Sequence, residues 1–165
     1  METHSLYILA LGSNRSLSAR RTPAALLREA VARIGAQAQV LDVSPIIATP
    51  PLGPSTRRFA NAAIMVRSAM TPPQMLRFVQ SVERSLGRRR YRRWGARSMD
   101  IDIILWSGGR WQSAALAIPH PAWRTRDFVL RPLATIAPGW RDPWGGRTVR
   151  QVEAVLRKPK GATRG

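Results

Sequence analysis

The chain has 165 residues, 44% of them hydrophobic, enough for one domain with an ordinary core and no need of a stabilising disulfide or metal. It contains no cysteine, which excludes a disulfide framework and thiolate metal sites and fits a reducing cytoplasm. Its net charge of +18, from 27 basic against 9 acidic residues and almost wholly arginine, raises a nucleic-acid reading beside that of an anionic small-molecule substrate.

Leu6 to Leu11 is a compact apolar run ended by Gly12-Ser13-Asn14, the pattern of a strand and turn. It is too short for a secretory signal, and no apolar run approaches the roughly 20 residues that span a bilayer, so no membrane association is expected. Thr22-Pro23 forms a helix start, Leu27, Ala30, Val31 and Ile34 keep the helical period, and Gly35 can end it. Val40 to Ile47 is extended, and Thr49 to Pro54 is a proline-stiffened loop. Phe59 to Val66 reads as a strand with Ala60, Ala62, Ile64 and Val66 on one face, and Phe59, Asn61, Ala63 and Met65 on the other.

Thr71, Pro72 and Gln74 make a capping-box start for a second helix. Met75, Val79, Val82 and Leu86 give it a buried stripe before Gly87, while Glu83 is either an exposed acid or an ion-pair partner for the arginines that follow. Met99 to Trp106 is a further strand, Gly108-Gly109 a turn, and Leu116 to Ile118 a short extended piece before Pro119-His120-Pro121. Phe128 to Ala137 is helical around Pro132, and Thr148 to Arg157 forms a last helix. The order strand, helix, two strands, helix, strand predicts an α+β, ferredoxin-like βαββαβ core, a largely antiparallel sheet with helices on one face. A single domain over 1–157 and a basic tail over 158–165 are expected.

Arg88 to Arg97 holds six arginines and Trp94, and it runs directly into Asp100-Ile101-Asp102. On a strand, Asp100 and Asp102 face the same way with side-chain roots roughly 7 Å apart. Mg²⁺ typically takes one or two carboxylates and completes its shell with water and phosphate, so the pair suits a metal shared with a nucleotide rather than a closed cage. The bland reading is a half-exposed strand with its polar face in water. The arginine segment, hinged by Gly87 and Gly95, reads either as a lid gripping polyphosphate or as a basic footprint for nucleic acid. No P-loop is present, so a phosphate grip must come from arginine side chains. The adjacent carboxylates repel a phosphate backbone, and no nucleic-acid partner is expected. His120 suits hydrogen bonding to phosphate, with Arg126 near in sequence. Further histidines are lacking nearby, which argues against zinc.

Together, Ala10-Leu-Gly-Ser-Asn14, Thr49-Pro-Pro-Leu-Gly53, Phe59-Ala-Asn61, Glu83 through Gly87-Arg-Arg-Arg90, Arg93-Trp-Gly-Ala-Arg97, Asp100-Ile-Asp102 and Ile118-Pro-His-Pro121 through Arg126-Asp-Phe128 resemble the 6-hydroxymethyl-7,8-dihydropterin pyrophosphokinase family over roughly residues 6 to 140. The resemblance implies transfer of diphosphate from ATP to the hydroxymethyl group of a reduced pterin, release of AMP, two Mg²⁺ ions and a place in folate biosynthesis; a cytoplasmic location is expected from the lack of a signal or spanning run, and a monomer is expected. It implies Asp100 and Asp102 as metal ligands, with Arg88 and Arg97 beside them in catalysis. Leu76, Gln80, Arg88, Arg90, Trp94, Arg97, Ile103, His120 and Arg126 would meet ATP. Thr49, Pro50, Leu52, Phe59, Asn61, Trp94 and Phe128 would line the pterin slot. Three positions depart from the family's usual pattern: Ala96 for a common proline, Ile47 at an often aromatic position, and Phe59 for a frequent tyrosine.

Overall fold

The computed structural model describes residues 2–14, 22–49, 59–87 and 99–159. Within them the order is β1 (Ser5–Ser13), α1 (Pro23–Gly35), β2 (Gln39–Val43), β3 (Ile47–Thr49), β4 (Phe59–Ser68), α2 (Pro72–Ser85), β5 (Asp100–Trp106), β6 (Trp111–Gln112), β7 (Ala117–Ile118), α3 (Asp127–Ile136) and α4 (Val149–Arg157). The helix starts follow the sequence signals. Thr22 Oγ1 accepts from the Ala25 amide, and Thr71 and Gln74 exchange side-chain and backbone bonds at 2.9 and 3.4 Å, satisfying amides that have no partner within the first turn. Gly87, at φ +99°, turns the chain out of α2 in a conformation that glycine adopts without strain.

The strands run β2-β4-β1-β5, every neighbour antiparallel, with β3 also paired to β4. Order and connection bear out the ferredoxin-like α+β expectation. The extended stretch expected at 40–47 is broken, however. At Ser44-Pro45 the Ser44 amide donates to the Ala63 carbonyl and Ser44 Oγ accepts from the Ala63 amide, both at 2.9 Å. A side chain thus takes over a ladder position that proline interrupts, and the strand resumes as β3. The last sheet strand begins at Asp100 rather than at Met99, which is fully buried.

Helices cover both faces of the sheet, not one. Leu9 and Leu11 of β1, Ala60, Ala62, Ile64 and Val66 of β4, and Ile101 and Ile103 of β5 point under α1 and α2. On the reverse face Ile8, Ala63, Ile104 and Leu105 pack beneath Trp123 and the apolar stripes of α3 and α4. Period-two alternation therefore builds two cores on opposite faces of one sheet. Tyr7 is fully buried with its hydroxyl donating to the Met70 carbonyl, and burial pushes that hydroxyl's pKa up to about 12. At the far end of β5, Asp142 accepts two hydrogen bonds from Arg124 and one from the Trp144 amide, tying the turn Trp123–Thr125 to the loop after α3. Arg124 is the main cause holding the Asp142 carboxyl below its usual range. Among the described residues no helix is long and apolar enough to cross a membrane.

Candidate active site

The second core does not reach the end of the sheet. Past Ala63 and Ile104 the same face carries Ala10, Gly12, Asn61, Asp100 and Asp102, and the first turn of α3 hangs over them. Between lies a cleft of about 810 Å³, lined also by Leu11, Ser13, Asn14, Phe59, Arg126, Asp127, Phe128, Val129 and Arg131. Strand register sets out its floor. Ile47, Asn61, Gly12 and Asp100 are successive cross-strand partners, and Asp102 sits opposite Ala10. Strands lie about 4.8 Å apart, so the Asp100 carboxylate and the Asn61 carboxamide occupy positions roughly 10 Å apart on one surface. Gly12 lies between them, and a Cβ there would stand 3.0 Å from Asn61 Oδ1. Its missing side chain is what lets the carboxamide lie along the floor.

The roof is chemically mixed. Phe128 is 44% exposed, unusual for so large an apolar side chain, and it presents its ring to the cleft. The Arg126 guanidinium lies 5.7 Å from that ring's centroid. Arg131 reaches Asp127 at 3.6 Å, one turn along α3. Asp100 and Asp102 are half-buried on the floor. Among the described residues no group of three or more His, Asp or Glu is placed to hold a metal. A two-carboxylate donor set fits a divalent ion whose shell a phosphate completes, and it does not fit a closed structural site.

Of the residues expected to act, Asp100, Asp102, Phe59, Asn61, Arg126 and Phe128 come together in this cleft. Thr49 ends β3 opposite Phe59. His120 lies outside the cleft's described lining: its amide donates to Ile104, two residues beyond Asp102, at 3.0 Å. Its Nδ1 accepts from the Ala122 amide at 3.1 Å, so in the neutral ring Nε2 carries the proton and is a donor. Leu76, Gln80 and Ile103 are not in the cleft either. Ile103 is buried beneath α2, and Leu76 and Gln80 are half-buried on α2 itself, across β5 from the carboxylates. Because β5 is the sheet edge in the main order, both groups border one rim. Glu83 is 3% exposed, which removes the exposed-acid reading. Pro50, Leu52, Arg88, Arg90, Trp94 and Arg97 lie outside the described residues.

Sequence reasoning missed Asp127, Arg131 and Gly12 as site residues. The helical period offered a signal for Arg131, which follows Asp127 and Phe128 by one turn on one face of α3.

The family model for 7,8-dihydro-6-hydroxymethylpterin-pyrophosphokinase (HPPK) matches residues 8–138. The chain is 40% identical over 159 residues to the 2-amino-4-hydroxy-6-hydroxymethyldihydropteridine pyrophosphokinase of Methylorubrum extorquens, covering 94% of this chain and 96% of that protein. It is 38% identical over 136 residues to the protein of the same name from Bacillus subtilis, covering 81% and 78%. With the one from Synechocystis it shares 39% identity over 100 residues, covering 61% of this chain and about half (51%) of that one. A solved HPPK-DHPS structure in complex with substrates superposes at a TM-score of 0.73, over 93% of this chain and 43% of that chain, at 12% identity. Plasmodium falciparum HPPK-DHPS gives 0.68, over 94% and 42%, at 13% identity, and both likenesses speak for the fold alone. With its cleft-lining segments inside the matched span, the chain belongs to the 7,8-dihydro-6-hydroxymethylpterin-pyrophosphokinase family.

Proposed function

We propose that this chain transfers pyrophosphate from ATP to the hydroxymethyl group of 7,8-dihydro-6-hydroxymethylpterin, a step of folate biosynthesis, in the cleft between the sheet and the start of α3. One observation carries the reading: a cross-strand row sets the Asn61 carboxamide at one end of the cleft and Asp100 at the other, with Asp102 beside Asp100 on the same face of β5. A flat two-ring heterocycle between Phe59 and Phe128 would meet the Asn61 amide, which both donates and accepts, along its polar edge. Its hydroxymethyl carbon would then face Asp100 and Asp102. Thr49, Pro50 and Leu52 would complete the slot, and Trp94 would close over it.

Asp100 and Asp102 would hold two Mg²⁺ ions, which when bound supply charge neutralisation on the triphosphate and acidify the attacking hydroxyl. The protein's own share is alignment and charge. Arg88, Arg90, Arg97 and Arg126 grip the phosphate oxygens, and His120 donates through Nε2. Leu76, Gln80 and Ile103, at the β5–α2 rim, border the nucleotide. A local proton acceptor is available in Asp100. The enzyme works as a cytoplasmic monomer.

Attack on the β-phosphorus releases AMP. Incubating protein, ATP, Mg²⁺ and the pterin and separating the nucleotides should give AMP in step with pterin consumed. ADP as the matching product would reject the assignment.

A further inference from the structure

The net charge of +18 is larger than one nucleotide site requires, and part of it lies at the opposite end of the molecule. Six residue steps along β5 separate Asp100 from Trp106, about 20 Å. There the turn Ser107–Arg110 faces the loop 138–148 that follows α3. Trp144 of that loop is 67% exposed, the most exposed large apolar side chain among the described residues, and the Arg110 guanidinium stacks over it at 4.1 Å. Beside the stack a shallow hollow of about 350 Å³ is lined by Trp106, Ser107, Gly109, Trp140, Arg141 and Pro143. Trp106 Nε1 is buried and has no acceptor among the described residues. In the segments 106–111 and 138–148 the one carboxylate is Asp142, which is 4% exposed and held by Arg124, so Arg110, Arg141 and Arg147 are not offset by any exposed acid of those segments.

Indole faces beside unopposed guanidinium groups are the composition that receives single-stranded nucleic acid, in which bases stack on aromatics while phosphates meet arginines. Two stacking positions, the open face of Trp144 and the Trp106–Trp140 hollow, suit successive bases better than one free nucleotide. An anionic membrane fits less well, since Trp144 is the one strongly exposed large apolar side chain of these segments, too little to insert. We propose that Trp144, Arg110, Arg141 and the adjoining hollow form a second surface that binds single-stranded nucleic acid, apart from the diphosphokinase cleft.

The test is fluorescence anisotropy of a dye-labelled single-stranded RNA decamer titrated with the full chain, at several salt concentrations. Saturable binding whose logarithm falls linearly with log salt is expected. Trp144→Ala should weaken it about 5- to 150-fold, the range for losing one base stack, while its pterin turnover stays that of the parent. Arg110→Ala and Arg141→Ala should each make the salt slope shallower by about 0.7. Equal binding by Trp144→Ala and parent would overturn the proposal. So would binding abolished by Arg92→Ala/Arg93→Ala alone, which would assign it to the 88–97 segment. Competition by AMP as effective as by unlabelled RNA would point to a free-nucleotide site instead. Trp144-dependent binding to phosphatidylserine vesicles without RNA binding would point to a membrane.

Discussion

The two faces of the sheet are made by the same strands yet do different work. Under α1 and α2 the inward residues of β1, β4 and β5 are apolar but for the Tyr7 hydroxyl and the buried serines Ser13 and Ser68 at the strand ends. The reverse face is apolar only where α3 and α4 lie on it, and at the Asp100 end it gives way to glycine, carboxamide and carboxylate. Alternation lets one strand anchor itself through Ile101 and Ile103 while displaying Asp100 and Asp102. A site on strands clamped from behind is held more rigidly than one on loops. Chemistry and stability should therefore separate residue by residue along a single strand.

That separation can be broken most severely at the carboxylates. Asp102→Asn, and likewise Asp100→Asn, should lower kcat at least 100-fold while thermal midpoint and far-UV dichroism stay near those of the parent. Comparable turnover by both variants would remove the metal role. On the opposite face Ile64→Ala, at a fully buried position, should cost about 2–5 kcal/mol in urea unfolding and leave KM for both substrates unchanged in the folded protein. Gly12→Ala tests the boundary between the two roles: its Cβ would press on Asn61 Oδ1, so KM for the pterin should rise about tenfold with that for ATP unmoved.

Smallest is the effect at Asp142, away from both faces. Its folded-state carboxyl titrates below 3.8 chiefly because Arg124 donates to it. A depressed acid contributes stability above its unfolded pKa and loses it as pH falls through the folded one. The parent's thermal midpoint should therefore fall more steeply than that of Asp142→Asn as pH drops below about 4, the curves converging in stronger acid. Parallel curves would show that the Arg124 pair contributes nothing to folding.

Much of this was legible because it depends on local rules. Thr22, Thr71 and Gln74 mark helix starts through backbone bonds they make themselves, and the two faces of β4 follow from alternation alone. Asp100 and Asp102 were legible because a spacing of two on a strand is a statement about direction. What depends on packing between distant segments was not. The apolar stripe of α3 shows that it is buried but not against which face, so its place over the cleft, and with it the roles of Asp127 and Arg131, was hidden. Gly12 looked like the end of a strand, since only register with Asn61 reveals why no side chain fits. The break at Ser44-Pro45 escaped because a serine hydroxyl completes the ladder there. His120 kept its place near β5, but its tautomer needed the Ala122 amide.

The central claim is that Asp100 and Asp102 hold divalent cations against the phosphates of ATP. Titrating ATP into the protein by calorimetry, with Mg²⁺ and with Mg²⁺ removed by EDTA, tests it directly. Affinity in the parent should drop at least tenfold on removal of the metal, and that dependence should vanish in Asp100→Asn/Asp102→Asn. Equal affinity with and without Mg²⁺, or a metal dependence undiminished in the double variant, would contradict it.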